Sequence, residues 1–233
     1  MAQNPLLSRL PRFHRGAFGL FLVTVLLTML VADRPLGDAL VLHPGAVLRG
    51  EGLWQPLTAN VVYPEGRVGL VLGTLLVQWF LAGHLEGYWG TRKYLVLVVG
   101  SGVAGYAASV LLALGVPAVA DTVVGGATPM DLAAVVGFGA LMGERPLSLG
   151  GVLPLRARTL AIVIAVLAVV SPLARGAPWP VIVPGVVAML VALLVVTQPW
   201  RRLRKSGKVG GRGRKPKKAA HLRVIRPDDE LLN

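Results

Sequence analysis

The sequence predicts an all-α membrane protein with six transmembrane helices and with both termini in the cytoplasm. Three observations support this fold class: an excess of apolar residues, six long apolar stretches, and an uneven distribution of lysine and arginine. Of the 233 residues, 54% are hydrophobic and only 15% are charged, and the mean hydropathy is +0.66. A soluble domain carries about 25% charged residues and has too little interior for so much apolar surface, so lipid must solvate it.

Six apolar stretches are the predicted membrane spans. A spanning helix needs about 20 residues, with a range of about 17–25. The stretches cover residues 16–32, 68–85, 94–114, 129–143, 157–171 and 179–198. The fourth and fifth are short, and we expect neighbouring helices, loops or thinned lipid to make up the difference. The first stretch follows three arginines but ends without a small-residue cleavage site, so we interpret it as a retained anchor.

Lysine and arginine set the predicted orientation. With six spans and a cytoplasmic N-terminus, the inside segments hold 20 of the 24 Lys and Arg residues, and the outside segments hold 4. Membrane proteins concentrate these residues on the cytoplasmic side, and an odd number of spans would break that rule. The predicted organisation is a cytoplasmic N-terminus (1–15), a membrane domain (16–200) with a long outer loop (33–67), and a cytoplasmic tail (201–233).

The tail is strongly basic. Residues 201–233 contain 12 Lys and Arg against 3 acidic residues, and their Gly-, Lys- and Arg-rich composition predicts a largely disordered segment. Basic tails next to a membrane helix usually satisfy the positive-inside rule and bind anionic lipid. We therefore expect anionic lipid or a soluble partner at the tail rather than nucleic acid. Its last residues, 221–233, are either a solvated end or a short docking motif.

Small residues within the spans predict close helix packing. Lipid gives helices no hydrophobic reason to associate, so side chains that permit close approach matter. The small-residue pairs can form seams within the bundle or a homodimer face, and we favour seams within the bundle. Gln78, deep in the second span, should face protein. The pairs with four-residue spacing are Gly83 and Gly87, Ser101 and Gly105, Ala104 and Ala108, and Gly139 and Gly143.

Five motifs follow one another in an order that is similar to a known family. They are Trp54–Thr58 before the second span, Gly83–Gly90 at its end, a Gly/Ser/Ala-rich third span, Gly125–Thr128 opening the short fourth span, and Leu153–Arg158 before the fifth. Together, over roughly residues 15–200, they resemble the rhomboid superfamily of intramembrane serine proteases. The resemblance implies a six-helix bundle with a lateral gate for client helices between the second and fifth spans.

The nucleophile position that the resemblance implies is changed. It lies at the mouth of the fourth span and falls on Thr128, flanked by Gly126 and Pro129. A hydroxyl attacks a peptide only when an adjacent base takes its proton. The extra methyl group of Thr128 crowds the approach of a substrate. Pro129 lacks a backbone N–H, and donors of this kind are each worth about 3–4 kcal/mol to an oxyanion.

The oxyanion and base positions are changed as well. The resemblance puts the His and Asn of the second span on Leu70 and Thr74, and it puts the base of the sixth span near residues 181–183. The sixth span contains no histidine, so no intact catalytic site is expected. The histidines of the chain are His14, His43, His84 and His221.

Several polar residues have structural interpretations. Thr128 opens a Thr-Pro-x-Asp pattern, which is typical of a helix N-cap with an acid in the first turn, so capping explains Thr128 and a proton relay through Asp131 is disfavoured. Glu86, next to Gly87, is expected to bond to groups of the outer loop or at the end of the second span. His84 and Glu86 are two residues apart and share no helix face, so neither a metal site nor a cofactor is predicted.

These observations lead to three functional hypotheses. We favour a rhomboid-family pseudoprotease that binds transmembrane segments of client proteins without cleaving them, with Trp54, Leu75, Trp79 and residues 160–170 at the client site. The first alternative is an active intramembrane serine-type endopeptidase that uses Thr128 or a serine of the third span. The second is a small transporter or membrane scaffold, which the lack of a predicted buried charge pair disfavours. The expected location is a plasma membrane, specifically a bacterial inner membrane, where the protein contacts the lipid bilayer.

Overall fold

The described part of the chain covers most of the predicted membrane domain. The computed structural model describes residues 14–31, 34–64, 68–144, 146–149 and 153–198. The predicted tail (201–233) and nearly all of the predicted N-terminal segment lie outside the described residues. The predictions that concern those two segments therefore stay predictions.

Within the described residues the fold is helical, with one short β-hairpin between two helices. The α-helices are α1 (Arg15–Val31), α2 (Pro35–Leu40), α3 (Pro44–Leu48), α4 (Gln55–Thr58), α5 (Val71–Leu76), α6 (Gly83–Trp89), α7 (Thr91–Ala113), α8 (Pro117–Ala120), α9 (Thr128–Met142), α10 (Ala157–Ala174) and α11 (Val183–Thr197). A 3-10 turn (Trp179–Ile182) leads into α11. The hairpin pairs β1 (Pro146–Leu149) with β2 (Leu153–Arg156) in antiparallel register, between α9 and α10.

The second predicted span is a continuous but irregular helix. A 3-10 turn (Val68–Leu70) leads into α5, a π-helical stretch (Val77–Ala82) follows, and α6 completes the run. We call residues 68–89 segment two. π-Helical turns inside α-helices occur frequently at functional sites, and this one contains the buried Gln78.

Each predicted span coincides with a helical segment whose ends differ from the prediction by a few residues. Among the described residues, three stretches are long and apolar enough to cross a membrane, namely Thr91–Ala113, Ala157–Ala174 and Trp179–Thr197. Arg15–Val31 and Thr128–Met142 are shorter apolar helices. The prediction of a helical membrane protein is confirmed, whereas the six crossings and the cytoplasmic termini stay predictions. The hairpin was not predicted from the sequence.

The outer loop contains short helices that the sequence analysis did not place. Helices α2, α3 and α4 each carry a proline at the first or second helical position. Proline suits this position because its φ is already helical and its missing N–H would have no helical partner. Leu42 and Val124 exchange two backbone hydrogen bonds of 2.8 and 3.1 Å. This bridge holds the loop against the stretch that leads into α9.

Two of the predicted small-residue positions form seams within the bundle. A Cβ atom on Gly105 would lie 2.2 Å from the carbonyl oxygen of Pro184, so glycine lets α7 approach α11. A Cβ atom on Gly139 would lie 2.4 Å from the Cβ of Ala161, so glycine lets α9 approach α10. At these two positions, the interpretation as seams within the bundle is correct.

Glu86 ties segment two to the start of α1. Its carboxylate accepts hydrogen bonds from the backbone N–H groups of Gly16 and Ala17, both at 2.8 Å, and from the Thr91 hydroxyl at 2.6 Å. The first N–H groups of a helix have no partner inside the helix, so Glu86 caps α1 from a neighbouring segment. Its partners are not those expected from the sequence. A Cβ atom on Gly87 would lie 3.1 Å from Nε2 of His14, so glycine leaves room for that ring.

Helix α9 is the centre of the bundle. It packs against α7, α10, α11 and segment two, and 11 of its 15 residues are buried. This explains how so short a helix survives in a membrane protein, because protein rather than lipid surrounds its backbone. The sequence analysis predicted that neighbouring helices would compensate for its length.

Candidate functional site

A cavity of about 660 Å³ lies between segment two, α9, α10 and the start of the last helix. Its volume falls within the roughly 300–1,000 Å³ that is typical of binding pockets. Each helix contributes residues that recur at helical spacing, so each presents one face to the cavity. The lining residues on these faces include Gly69, Leu70, Gly73, Thr74 and Val77 of segment two, Thr128, Pro129, Asp131, Leu132 and Val135 of α9, and Ile164, Leu167, Ala168, Ser171 and Pro172 of α10.

The cavity brings together the positions that the rhomboid resemblance singles out. Thr128 lies at the start of α9, and Leu70 and Thr74 lie across from it on segment two. Val181 and Ile182 line the cavity from the 3-10 turn that leads into α11. Among the lining residues of the described chain there is no histidine. The implied positions are therefore neighbours in space, but the imidazole that the chemistry needs is not among them.

Gly126, just before α9, is fixed by its surroundings. Its φ of +108° favours glycine, and a Cβ atom there would lie 2.3 Å from the ring of Tyr63. Its N–H donates to the carbonyl of Ala59 at 2.8 Å, and its carbonyl accepts from the Tyr106 hydroxyl at 2.7 Å. Because the N–H of Gly126 is already used, it is not free to stabilise an oxyanion.

The prediction that Thr128 caps α9 is wrong. Ala127 occupies the N-cap position, its backbone is right-handed helical, and no side chain caps the helix. The first helical hydrogen bond already runs from the N–H of Asp131 to the carbonyl of Ala127 at 2.9 Å, so Thr128 is the first helical residue. Asp131 lies in the first turn, as predicted. Thr128 is half-buried and lines the cavity.

Tyr63, from the outer loop, faces the start of α9. Burial and the negative charge of Asp131 raise the pKa of its phenol, and interactions with Thr74, Thr128 and the backbone of Ala127 offset only part of that rise. The phenol therefore stays protonated at neutral pH and cannot act as the base for Thr128. Tyr63 therefore does not supply the proton acceptor that a nucleophilic hydroxyl requires.

A buried chain of hydrogen bonds begins at three residues of the cavity lining and continues into the bundle. The Tyr63 hydroxyl lies 2.7 Å from the Thr74 hydroxyl, which donates to Oδ2 of Asp131 at 2.7 Å. Nε2 of Gln78 donates to Oδ1 of Asp131 at 2.8 Å, and the Tyr94 hydroxyl donates to Oε1 of Gln78. All five side chains are buried. The chain links the outer loop, segment two, α7 and α9.

The donors in this chain all point toward Asp131. Thr74 has one hydroxyl proton and gives it to Asp131, so it must accept from Tyr63. Tyr94 gives its proton to the amide oxygen of Gln78, whose nitrogen then donates to Asp131. The Asp131 carboxylate is the final acceptor from both sides. An amide interrupts the path, so the chain does not form a continuous hydroxyl relay across the bundle.

The three residues expected to contact a client lie outside the lining of the cavity. Segment two presents Leu70, Thr74 and Val77, whereas Leu75 and Trp79 are half-buried and do not line it. Trp54 is exposed in the outer loop and donates from its indole to the carbonyl of Ala39 at 3.2 Å, a distance that indicates a weak bond. Residues 160–170 include Leu167, which does line the cavity.

The serines of the third span, Ser101 and Ser109, are not in the cavity lining either. Both are buried on α7, and their hydroxyl oxygens have no hydrogen-bond partner in the described structure. A nucleophilic serine needs a base within hydrogen-bond reach. These two hydroxyls therefore do not have the surroundings of a catalytic nucleophile.

Asp131 and Arg175 are the ionisable groups of opposite charge in the cavity lining. Arg175 follows α10, is exposed, and donates to the hydroxyl of Ser171. Asp131 is only 7% exposed. Among the described residues no ion pair involves Asp131, and no group of three or more His, Cys, Asp or Glu side chains lies close enough to hold a metal ion.

The polar chain as a unit was not predicted from the sequence. The prediction that Gln78 faces protein is correct. Thr74 was named only as an oxyanion position, and Asp131 only as an acid in the first turn of a helix. The signal was present, because a carboxylate inside an apolar span marks a site by default. Tyr63 and Tyr94 carried no comparable signal, since tyrosines near span ends are common at membrane interfaces.

Comparisons with known proteins place the chain among membrane proteins. Residues 15–195 match the model of a family described as "Eukaryotic integral membrane protein (DUF1751)". This range covers every helix that lines the cavity. A comparison with curated proteins gave no match.

Proposed function

The chain belongs to the DUF1751 family of eukaryotic integral membrane proteins, and from that premise we propose that it is a rhomboid-like, six-span membrane protein that binds transmembrane segments of other proteins without cleaving them. One observation carries this proposal. A cavity lies between segment two and α10, and among its described lining residues there is no histidine to act as the base for Thr128.

The surroundings of Thr128 argue against peptide hydrolysis: no histidine lines the cavity within the described residues, and the Asp131 carboxylate accepts from Thr74 and Gln78. Thr128 faces a protonated tyrosine, the 3-10 turn before α11 presents Val181 and Ile182 to the cavity, and the Leu70 side chain has no polar group to donate. The N–H of Gly126 is engaged and Pro129 has none. Loss of one oxyanion donor alone costs about 3–4 kcal/mol of transition-state stabilisation. Around Thr128 the described residues provide neither a histidine base nor a free N–H at Gly126 or Pro129, so any residual hydrolysis should be very slow.

The wall of the cavity argues for a helical guest. Leu70 on segment two is 44% exposed and Leu167 on α10 is 58% exposed, although both line the cavity. Helix α10 packs against α9 but makes no comparably extensive contact with segment two among the described residues. A gap between two apolar helix faces is accessible from the bilayer, where candidate guests are transmembrane helices.

The proposed topology follows from charge. Placing 20 of the 24 Lys and Arg residues on the cytoplasmic side requires an even number of crossings with both termini inside. The basic tail is proposed to bind anionic lipid or a soluble partner at that surface. A membrane location is supported by the family and by the apolar helices. The finer placement in a plasma membrane stays a prediction, and its bacterial part has no support from a family described as eukaryotic.

Site-specific photocrosslinking of the full chain in proteoliposomes tests the proposal. A photoreactive residue replaces Leu70 or Leu167, and a synthetic single-span Leu/Ala peptide serves as the guest. Leu72, 68% exposed on segment two, and Ile162, 56% exposed on α10, are matched controls that do not line the cavity. We expect at least about fivefold more adduct at the cavity positions, with the peptide intact.

Two outcomes would contradict the proposal. Equal adduct yield at cavity and control positions would mean that the peptide meets the protein only by random collision in the bilayer. Peptide fragments that disappear in the Thr128→Ala variant would instead identify an active protease.

A further inference from the structure

The Asp131 carboxyl group is buried, and among the described residues it has no charged partner. Its two oxygens accept one hydrogen bond each, from Thr74 and Gln78, and both donors are neutral. Within the described residues the only basic side chain that lines the same cavity is Arg175, which lies at its exposed end and is bonded to Ser171. Each carboxylate oxygen can accept a second hydrogen bond. The group therefore has unused hydrogen-bonding capacity and no cationic partner among the described residues.

The cost of this arrangement is substantial. Removing a carboxylate from water costs several kcal/mol even after the protein relaxes, and two neutral hydrogen bonds recover only part of it. If the carboxylate served only to join segment two to α9, a neutral acceptor such as an amide could fill that place without the cost. Ionisable side chains inside membrane segments usually face a pathway or a binding site and have a partner. The missing partner is the feature to be explained.

The cavity wall next to this carboxylate is suited to a close-packed helix. Gly69 and Gly73 line the cavity one turn apart, and a Cβ atom on either would have no other atom within 4 Å. Open glycines four residues apart allow another helix backbone to approach closely. Thr74, the donor to Asp131, follows Gly73 directly. A guest helix on this wall would therefore lie beside the network that ends at Asp131.

We propose that Asp131 selects, among transmembrane segments, those that carry a lysine or arginine at the depth of the first turn of α9. This inference rests on the proposed function and names its client class. The cationic group of the guest donates hydrogen bonds to the free lone pairs of Asp131. Each partner then has a group of opposite charge beside it inside the bundle. Because Arg175 repels a cation at the exposed end, the basic residue enters laterally from the bilayer, between segment two and α10.

The proteoliposome assay with the photoreactive residue at Leu70 tests this selection. The guests are four single-span peptides that differ only at one central position, which holds Lys, Gln, Leu or Glu. We expect about tenfold more adduct with the Lys peptide than with the Leu peptide, and the least with the Glu peptide. A polar contact between membrane helices can change an affinity by about this factor. The Asp131→Asn variant should reduce the Lys preference, measured as the ratio of Lys to Leu adduct, to less than about twofold.

A matched control separates this carboxylate from others. Asp121 is an exposed carboxylate outside the cavity lining, so Asp121→Asn should keep the full Lys preference. Equal capture of all four peptides by the unsubstituted protein would overturn the selection and leave the proposed function standing. An adduct yield at Leu70 no greater than at the control position Leu72 would overturn both the selection and the proposed function. A Lys preference that survives Asp131→Asn would also overturn the assignment. If that variant fails to fold, the ranking of the four peptides on the unsubstituted protein decides alone.

Discussion

Helices α9 and α10 lie side by side and are both apolar, yet they have opposite surroundings. Of the 15 residues of α9, 11 are buried, whereas among the 18 residues of α10 only Ala157 and Ala161 are. The difference follows from side-chain size. The face of α9 includes small residues such as Gly139, which permit contact on several sides, while α10 carries bulky branched side chains that suit lipid. High hydropathy shows that a helix needs apolar surroundings, but it does not say whether protein or lipid provides them.

The same contrast divides the cavity into a fixed wall and a free wall. Helix α9 contributes Asp131 and is held on several sides by neighbouring helices. Helix α10 contributes Leu167 and has few buried contacts. Regions with few buried contacts open at low free-energy cost. We therefore expect a guest helix to displace α10 rather than α9.

The largest predicted difference is in the response of the two helices to truncation. Phe138 on α9 is fully buried, and Phe138→Ala should lower the free energy of unfolding by about 3 kcal/mol. This value is at the low end for truncation of a buried phenylalanine. Apolar lipid reduces the hydrophobic contribution of the ring to stability, whereas the loss of its packing contacts remains. Leu167→Ala on the exposed α10 is the matched control and should change the free energy of unfolding by less than about 0.5 kcal/mol. Reversible unfolding in mixed micelles measures both. Equal losses would mean that α10 is as well packed as α9.

The seam between the two helices should show the next largest effect. A branched side chain at Gly139 would meet Ala161, whose Cβ lies 2.4 Å from the position of an added Cβ. Gly139→Val should therefore destabilise the protein by about 1–3 kcal/mol through forced separation of α9 and α10. Gly100 on α7 offers a matched control, since a Cβ there meets no atom within 4 Å. A Gly139→Val variant as stable as Gly100→Val would show that the seam opens without strain.

Much of the fold could be predicted from the sequence because span positions depend on local composition. Apolar stretches of sufficient length identified all six helical segments, and small residues such as Gly105 correctly indicated close helix approach. The π-helical stretch at Val77–Ala82 could not be predicted, because it depends on contacts with other helices rather than on local propensity. The start of α9 was misjudged by one residue, since a Thr-Pro pair fits both the cap and the first turn.

The site was predicted only in part because its residues come from four distant parts of the chain. The resemblance named Thr128, Leu70 and Thr74, and these do line one cavity. The client positions Leu75 and Trp79 were chosen for lying in the gate helix, but which face of a helix meets a cavity depends on its neighbours. The network through Gln78 required the third dimension for the same reason.

The smallest predicted effect concerns the polar contacts that hold α9 to segment two. Thr74→Val keeps the side-chain shape but leaves the Tyr63 hydroxyl without its acceptor and Oδ2 of Asp131 without its donor. Polar contacts between membrane helices are worth on average about 0.6 kcal/mol and at most about 1.7 kcal/mol. Because two partners lose a bond at once, the loss of stability should be about 1 kcal/mol. Thr197→Val is the control, since that exposed hydroxyl bonds only to the carbonyl of Leu193 in its own helix.

The same pair of variants also distinguishes a network that only stabilises the fold from one that recognises a guest. If the network only stabilises the fixed wall, Thr74→Val should weaken folding and leave the ranking of guest peptides unchanged. If Asp131 also receives a guest's cation, the loss of its Thr74 donor frees one more acceptor position and makes the carboxylate harder to satisfy without a guest. The Lys preference should then increase by roughly two- to threefold over the unsubstituted protein, while Thr197→Val leaves it unchanged. Crosslinking at Leu70 measures this change, and a preference that falls with Thr74→Val would mean that Thr74, rather than Asp131, contacts the guest.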